Sequence, residues 1–107
     1  MARDAAADES LRIEREARAW DVARLAARRL RDEYGAVRVL VYGSLARGQF
    51  QTYSDIDIAV WGVDPDAWLK MVGLGFEVGR EIETNIALAE SMRAEVRAAA
   101  LRDGVDL

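Results

Sequence analysis

Two short segments with the composition of β-strands constrain the fold more than any other feature of the sequence. The stretch from Val37 to Tyr42 is apolar and β-branched and lies between Gly35 and Gly43, which is typical of a buried strand. Residues 55–61 alternate acidic or small side chains with branched apolar ones, the period of a strand with one buried face. With the helical segments around them, these strands predict an α/β (α+β) fold, a small mixed β-sheet flanked by helices.

The remaining segments continue an alternating order of helices and strands. Apolar residues between Leu11 and Tyr34 recur every three or four positions, as on one face of a helix that Asp8 or Ser10 caps and Gly35 ends. The predicted elements are a helix over about 11–34, a strand over 37–42, a glycine–serine turn over 43–48, a strand over 55–61, a helix over 65–72, a strand over 81–88 and a helix over 91–102.

No composition shift, repeat or linker divides this order, so we expect a single domain over residues 1–107. Asp64 and Pro65 are a helix-start pair, with the acid as N-cap and proline in the first turn. Gly73, Gly75 and Gly79 follow that helix, and we expect them to loosen the chain before the strand at 81–88.

Composition excludes several kinds of chemistry. The chain has no cysteine and no histidine, so disulfides, thiolate catalysis, imidazole bases and Cys- or His-ligated metals are ruled out. The formal net charge of −4 argues against strong non-specific nucleic-acid binding. Residues 1–4 contain no apolar signal segment and no run approaches the ~20 apolar residues of a membrane span. We therefore expect a cytoplasmic protein without a membrane span.

Asp55 and Asp57 form the first candidate site. Side chains two residues apart on a strand share one face, which puts these Cα atoms ~6.5–7 Å apart. That spacing suits two divalent cations that clamp an in-line phosphoryl displacement, and oxygen ligands favour Mg²⁺, with Mn²⁺ possible. The alternative is a pair of solvated acids on an exposed strand face.

The turn between the two strands is the second candidate site. Gly43 permits close approach of the backbone to a phosphate, and Ser44 adds a hydroxyl at the start of a short helix. Arg47 lies one helical turn further and can reach the same phosphates, while Gly48 leaves the entrance open. The alternative is an ordinary turn with a surface arginine.

These residues resemble a known family. The pattern Gly43-Ser44, Ala46-Arg47-Gly48 and then Ser54-Asp55-Ile56-Asp57-Ile58-Ala59-Val60 is similar to the DNA polymerase β-like nucleotidyltransferases. It is most similar to their minimal single-domain members, the MntA-type antitoxins. The resemblance covers most of the chain and implies the polymerase β-like nucleotidyltransferase fold.

The resemblance also implies roles for individual residues. Asp55 and Asp57 would hold two Mg²⁺ ions, and Gly43, Ser44, Arg47, Gly48 and Ser54 would bind the nucleotide. A third carboxylate is expected on the neighbouring strand, where the family usually has aspartate. Glu83 is preferred for this catalytic and metal-binding position, and Glu81, one pleat earlier on the same face, is the other candidate.

The implied function is transfer of AMP from ATP to a hydroxyl of a partner protein. Relatives of this type are antitoxins that adenylylate a tyrosine of a HEPN-domain ribonuclease toxin, and the resemblance implies the same partner here, in a hetero-oligomer. Two alternatives remain open. The chain could be a non-catalytic antitoxin that neutralises its partner by docking, which the glutamate at the third position favours, or a subunit that modifies a small molecule.

Overall fold

Four strands form one mixed sheet in a computed structural model, which describes residues 5–107. The strands are β1 (Arg38–Tyr42), β2 (Ile56–Trp61), β3 (Thr84–Leu88) and β4 (Val105–Asp106), in the spatial order β3-β2-β1-β4. β1 pairs antiparallel with β2 and with β4, whereas β2 pairs parallel with β3. The predicted mixed sheet is therefore confirmed. Residues 1–4 lie outside the described residues. The predicted domain includes them, and the expectation of no signal segment also concerns them.

One row of residues crosses the three main strands at their shared end. Tyr42 of β1 is registered with Asp57 of β2, and Asp57 is registered with Asn85 of β3. Because neighbouring strands lie about 4.8 Å apart, Tyr42 and Asn85 flank Asp57 on opposite sides. The row fixes which side of Asp57 faces each neighbouring strand.

The first helix, α1 (Ala5–Tyr34), is longer than the predicted 11–34. Within the described residues it already includes residues 5–7, which are alanines, the strongest helix formers. Asp8 and Ser10 therefore lie inside the helix, and neither is its N-cap residue. The predicted end is confirmed. Gly35 has φ +69, and its backbone N–H donates to the Arg31 carbonyl, which is the αL C-cap motif. The N–H of Ala36 donates to the Leu30 carbonyl.

The third helix corrects the prediction for residues 65–79. A 3₁₀ turn over Pro65–Ala67, capped by the Asp64 side chain as predicted, leads into α3 (Trp68–Val78). The helix therefore continues past residue 72, and Gly73 and Gly75 lie inside it rather than loosening the chain. Gly75 has a packing reason: a Cβ there would lie 2.7 Å from the carbonyl oxygen of Thr84. Glycine lets α3 approach the backbone of β3 closely.

The predicted strand over 81–88 begins later, at Thr84. The end of α3 and the close contact of Gly79 with the Ile82 carbonyl, 2.6 Å from a built Cβ, force the chain to turn first. The predicted alternation is confirmed around and within the strand, since Ile82, Thr84 and Ile86 are buried and Glu83 and Asn85 are exposed.

Helices cover the two faces of the sheet unequally. α1 and α3 bury the apolar face, whose core includes Leu30, Val41, Ile58 and Met71. The last helix, α4 (Ala94–Asp103), starts later than the predicted residue 91, because residues 89–91 form a 3₁₀ turn. It packs through Ala100 in a smaller cluster with Leu40 of β1 and Ala59 of β2. Within residues 5–107, no helix combines the length and apolar character needed to cross a bilayer.

Candidate active site

The Gly43 turn lies directly against Asp57. The four-residue helix α2 (Gly43–Ala46) follows β1 without a break, and Gly43 adopts φ +74. A Cβ built on Gly43 would lie 2.7 Å from Asp57 Oδ2. Two independent requirements therefore select glycine here: the left-handed backbone conformation and the space taken by the carboxylate.

Asp57 occupies an electrostatically unfavourable place for an ionised carboxylate. Burial raises the pKa of Asp57, and the negative charge of Asp55 adds to this shift. A hydrogen bond from Asn85 and the positive charge of Arg47 oppose it, without cancelling it. The arrangement favours a proton or another cation beside Asp57.

Glu83 joins this acidic pair. The backbone N–H of Ile56 donates to the Glu83 carbonyl at 2.9 Å, which fixes Glu83 beside Asp55. A hydrogen bond with Asp55 and the charges of both aspartates raise the pKa of Glu83. Glu81 instead forms an ion pair with Arg18 of α1 at 3.4 Å. The structure therefore places the preferred candidate, Glu83, beside the aspartates, whereas Glu81 is paired with α1. The catalytic role of Glu83 stays a prediction.

Asn85 is the site residue that sequence reasoning missed. It is registered with Asp57, and its amide Nδ2 donates a long hydrogen bond of 3.5 Å to Asp57 Oδ1. The signal was present in the alternation of residues 81–88, which puts Asn85 on the same face as Glu83. Because asparagine carries no charge, Asn85 is not a candidate when the third carboxylate is sought among acidic residues.

The other predicted nucleotide-binding residues surround the Gly43 turn. Ser44 lies in the first turn of α2, and Arg47 caps the end of that helix. The Arg47 Nε donates to the Gln49 side chain at 3.3 Å. Gly48 has φ +70, and a Cβ there would meet nothing within 4 Å, so the backbone conformation alone selects glycine.

Ser54 shapes the loop between the turn and the aspartates. Its hydroxyl accepts from the Gln51 backbone N–H at 2.9 Å, and α1 holds the same loop through bonds from Arg12 to the Phe50 carbonyl and from Arg15 to the Ser54 carbonyl. Phe50 is fully buried. The structure thus shows Ser54 as a loop-forming residue, and its predicted contact with the nucleotide stays a prediction.

The carboxylates of Asp55 and Asp57 are suited to Mg²⁺ that is also bound by a nucleotide. Among residues 5–107, no group of three or more acidic side chains forms a ready-made metal cage. Mg²⁺ is held in nucleotide sites by one or two carboxylates together with phosphate oxygens and water. Asp55 and Asp57 supply two carboxylates beside a turn suited to phosphate, so the residues fit a cation that arrives with a nucleotide.

Comparison with known proteins assigns the class. The family model of the nucleotidyltransferase domain matches residues 23–104, and the chain belongs to this family. The matched range includes the Gly43 turn, both aspartates and β3. No curated protein sequence matches the chain significantly.

Solved structures with the same fold narrow the class. A structure described as a minimal nucleotidyltransferase is 31% identical, covers 92% of this chain and 94% of its own, and superposes with a TM-score of 0.62. The chain therefore has the fold of a minimal nucleotidyltransferase. Two further structures show the same fold at lower identity. One is a toxin–antitoxin with AMP-PNP (19% identity, 85% of this chain, 70% of that chain, TM-score 0.61). The other is a mutant of the toxin–antitoxin MntA-HpeT (22%, 76%, 67%, TM-score 0.60).

Proposed function

We propose that this nucleotidyltransferase uses Mg²⁺ and ATP to transfer AMP to a tyrosine hydroxyl of a partner HEPN-domain toxin. It would act as the antitoxin of the pair, within a hetero-oligomer in the cytoplasm. The finding that carries the proposal is the contact of Gly43 with Asp57. It puts the turn suited to phosphate beside the carboxylate suited to Mg²⁺, with no side chain between them.

The leaving group would lie on the β1 side of the site. In the proposal, the β- and γ-phosphates lie against the Gly43–Ser44 backbone and the Arg47 guanidinium, which neutralises charge as pyrophosphate forms. Asp55 and Asp57 hold the cations; Mg²⁺, when bound, supplies the positive charge that makes the α-phosphate reactive.

The proton of the acceptor would leave through Glu83. The hydroxyl oxygen forms a bond to the α-phosphorus, the bond to the bridging pyrophosphate oxygen breaks, and the hydroxyl proton moves to the Glu83 carboxylate. The Glu83 carboxylate lies beside Asp55, where it can take up that proton as a general base.

The choice of partner rests on the structural neighbours. Two of the structures that share the fold are described as toxin–antitoxin structures, one of them with an ATP analogue, AMP-PNP. They favour ATP as the donor and a toxin as the acceptor for this chain. The HEPN class and the tyrosine acceptor rest on the sequence resemblance.

Transfer of label tests the proposal. ATP labelled at the α-phosphate is incubated with the protein, Mg²⁺ and a separately purified HEPN-domain toxin, the proposed partner. We expect label on that protein and none when ATP carries the label at the γ-phosphate. Absence of α-label from the partner, with ATP and Mg²⁺ still bound, would overturn the proposed activity.

A non-catalytic antitoxin is the second candidate, and Asn85 favours it. The side chain registered with Asp57 on β3 is a neutral amide rather than an acid, so the site has fewer metal-binding charges on that side. In this case the chain would silence its partner by binding alone. Inhibition of the partner's ribonuclease activity without ATP distinguishes this candidate from the transferase.

A further inference from the structure

A cleft of about 410 Å³ lies between α3 and β3, beside the acidic residues. Val72 and Phe76 of α3 line one wall, and Glu83 and Asn85 line the other. Gly75 and Gly79 let α3 lie close to the backbone at the start of β3. Among the residues that line the cleft, Glu83 is the proposed proton acceptor.

The reaction itself determines what enters from this side. In a phosphoryl displacement the attacking and leaving oxygens lie roughly in line, on opposite sides of the phosphorus. The Gly43 turn follows β1, on one side of Asp57, and Asn85 lies on the other side, on β3. If pyrophosphate leaves toward Gly43 and Arg47, the acceptor must approach from β3, where the cleft opens.

The surface of α3 next to the cleft is apolar and exposed. Leu69, Val72 and Phe76 are spaced i, i+3 and i+7, which puts them on one helix face. Leu69 is 76% exposed and Phe76 is 74% exposed, and Phe76 also lines the cleft. The apolar stripe, Leu69, Val72 and Phe76, is thus continuous with the acceptor side of the site.

We infer that the cleft admits the acceptor hydroxyl and that the apolar stripe docks the polypeptide that carries it. This inference rests on the proposed function, because it identifies the acceptor side by where pyrophosphate leaves. A polypeptide, unlike a small acceptor, would contact both the cleft and the exposed side chain of Leu69.

Charge and strand position favour a polypeptide over a nucleic acid. The charged residues that line the cleft are Arg80, Glu81 and Glu83, and Glu81 is paired with Arg18, so the cleft has no cluster of unpaired cations that would bind a chain of phosphates. β3 is the edge strand of the sheet, and in the described part of the chain no further strand pairs with its outer side. Because α3 packs against the Thr84 carbonyl at the start of this strand, the part of the edge beyond Thr84 is the part suited to an extended polypeptide segment.

Paired substitutions test the docking surface. The stripe variant Leu69→Ser/Phe76→Ser removes two apolar anchors without touching the aspartates. The control, Val37→Ser, removes a side chain that is equally exposed, at 76%, but lies at the opposite end of β1. Each variant is first checked for the wild-type melting temperature and for wild-type affinity toward ATP with Mg²⁺, which reports on the nucleotide side alone.

The readouts are transfer of α-label to a purified HEPN-domain toxin, the proposed partner, and binding to that protein by calorimetry. We expect the stripe variant to raise the KM for the HEPN protein and its Kd roughly tenfold or more, with the KM for ATP unchanged, and Val37→Ser to change neither. An unchanged KM and Kd in the stripe variant would overturn the docking surface and leave the transferase intact.

Failure of the proposed function gives a different result. If the wild type binds the HEPN protein but labels it with no AMP, the transferase proposal fails, and calorimetry with the stripe variant still decides whether this face docks the partner. If the wild type neither labels nor binds that protein, both proposals are overturned.

Discussion

Gly43 presses against the carboxylate of Asp57, closely enough that a methyl group in place of its hydrogen would lie 2.7 Å from Asp57 Oδ2. The turn and the metal-binding acid, which are distant in sequence, therefore form one surface. Any side chain at residue 43 would push the carboxylate away from the phosphate side.

Gly43→Ala tests this contact. Alanine adds left-handed backbone strain of about 1–2 kcal/mol and a clash with Asp57, so we expect lower stability and a steep loss of transfer. Gly35→Ala is the matched control, because Gly35 has φ +69 and open space around a built Cβ. It should lose comparable stability, measured by denaturant unfolding, with transfer intact. Equal transfer rates in the two variants would show that the contact does not matter for activity.

The sequence predicts the sheet and the acidic pair because both depend on short-range patterns. The alternation in β2 depends on a period of two, and the glycines at residues 35 and 43 mark backbone conformations that other residues rarely adopt. These patterns are local, so they can be recognised in the sequence without knowledge of the tertiary structure. The resemblance to the nucleotidyltransferase family adds the prediction that these strands belong to one mixed sheet.

The end of α3 and the role of Asn85 could not be predicted in the same way. From the sequence alone, Gly75 is expected to break the helix. The structure shows instead that it packs against the Thr84 carbonyl. Asn85 is unremarkable until β2 and β3 are paired in parallel, because that register alone places it beside Asp57. Both depend on contacts between segments, which one sequence does not specify.

Asp57→Asn should abolish transfer and yet stabilise the fold without metal. Since burial raises the pKa of Asp57, the folded state holds the proton more tightly than the unfolded state does. Stability is therefore lost as pH rises from the ordinary carboxyl pKa through the raised one. At pH 7 in EDTA, the variant should melt above the wild type, and Mg²⁺ with ATP should narrow the gap.

Asp55→Asn should abolish transfer as well, because either substitution removes a cation ligand. Transfer of α-label is followed for both variants beside far-UV circular dichroism. Near wild-type rates in both would contradict the assignment of the metal pair.

Arg47→Ala should lower turnover by roughly 10²–10³, the range typical of losing one donor to developing charge. The exposed guanidinium lowers the pKa of Asp57 through its charge, so it lies near the reacting groups. Arg47→Lys should recover only part of the activity, because the planar fork is lost. Steady-state kcat with saturating ATP is the measurement, and an unchanged kcat in Arg47→Ala would make Arg47 a surface residue only.

Asn85→Asp should make the site more dependent on metal. The substitution puts a carboxylate opposite Asp57 in the register, and like charges in that position destabilise a sheet by up to about 1 kcal/mol. The melting temperature in EDTA should fall, and Mg²⁺ should raise it more than in the wild type. Asn85→Ala controls for loss of the amide. Identical metal responses in all three proteins would show that residue 85 does not face the cation.

Glu83→Gln and Glu81→Gln separate the two candidates for the third carboxylate. Asp55 lies close enough to Glu83 to raise the pKa of Glu83, whereas Glu81 pairs with Arg18. Loss of a general base costs roughly 10²–10⁴ in rate, so Glu83→Gln should cut transfer steeply while ATP still binds through Asp55, Asp57 and the Gly43 turn. Glu81→Gln should change the rate little.

Glu83→Asp tests whether the shorter side chain of aspartate can still reach the cations. The side chain is one methylene shorter, and the backbone carbonyl of residue 83 is held by the hydrogen bond from Ile56, so backbone movement cannot bring the shorter carboxylate closer to the cations. We expect activity between those of the wild type and Glu83→Gln. Full activity in Glu83→Asp would mean that the site accepts either acid, and a larger loss in Glu81→Gln than in Glu83→Gln would transfer the role to Glu81.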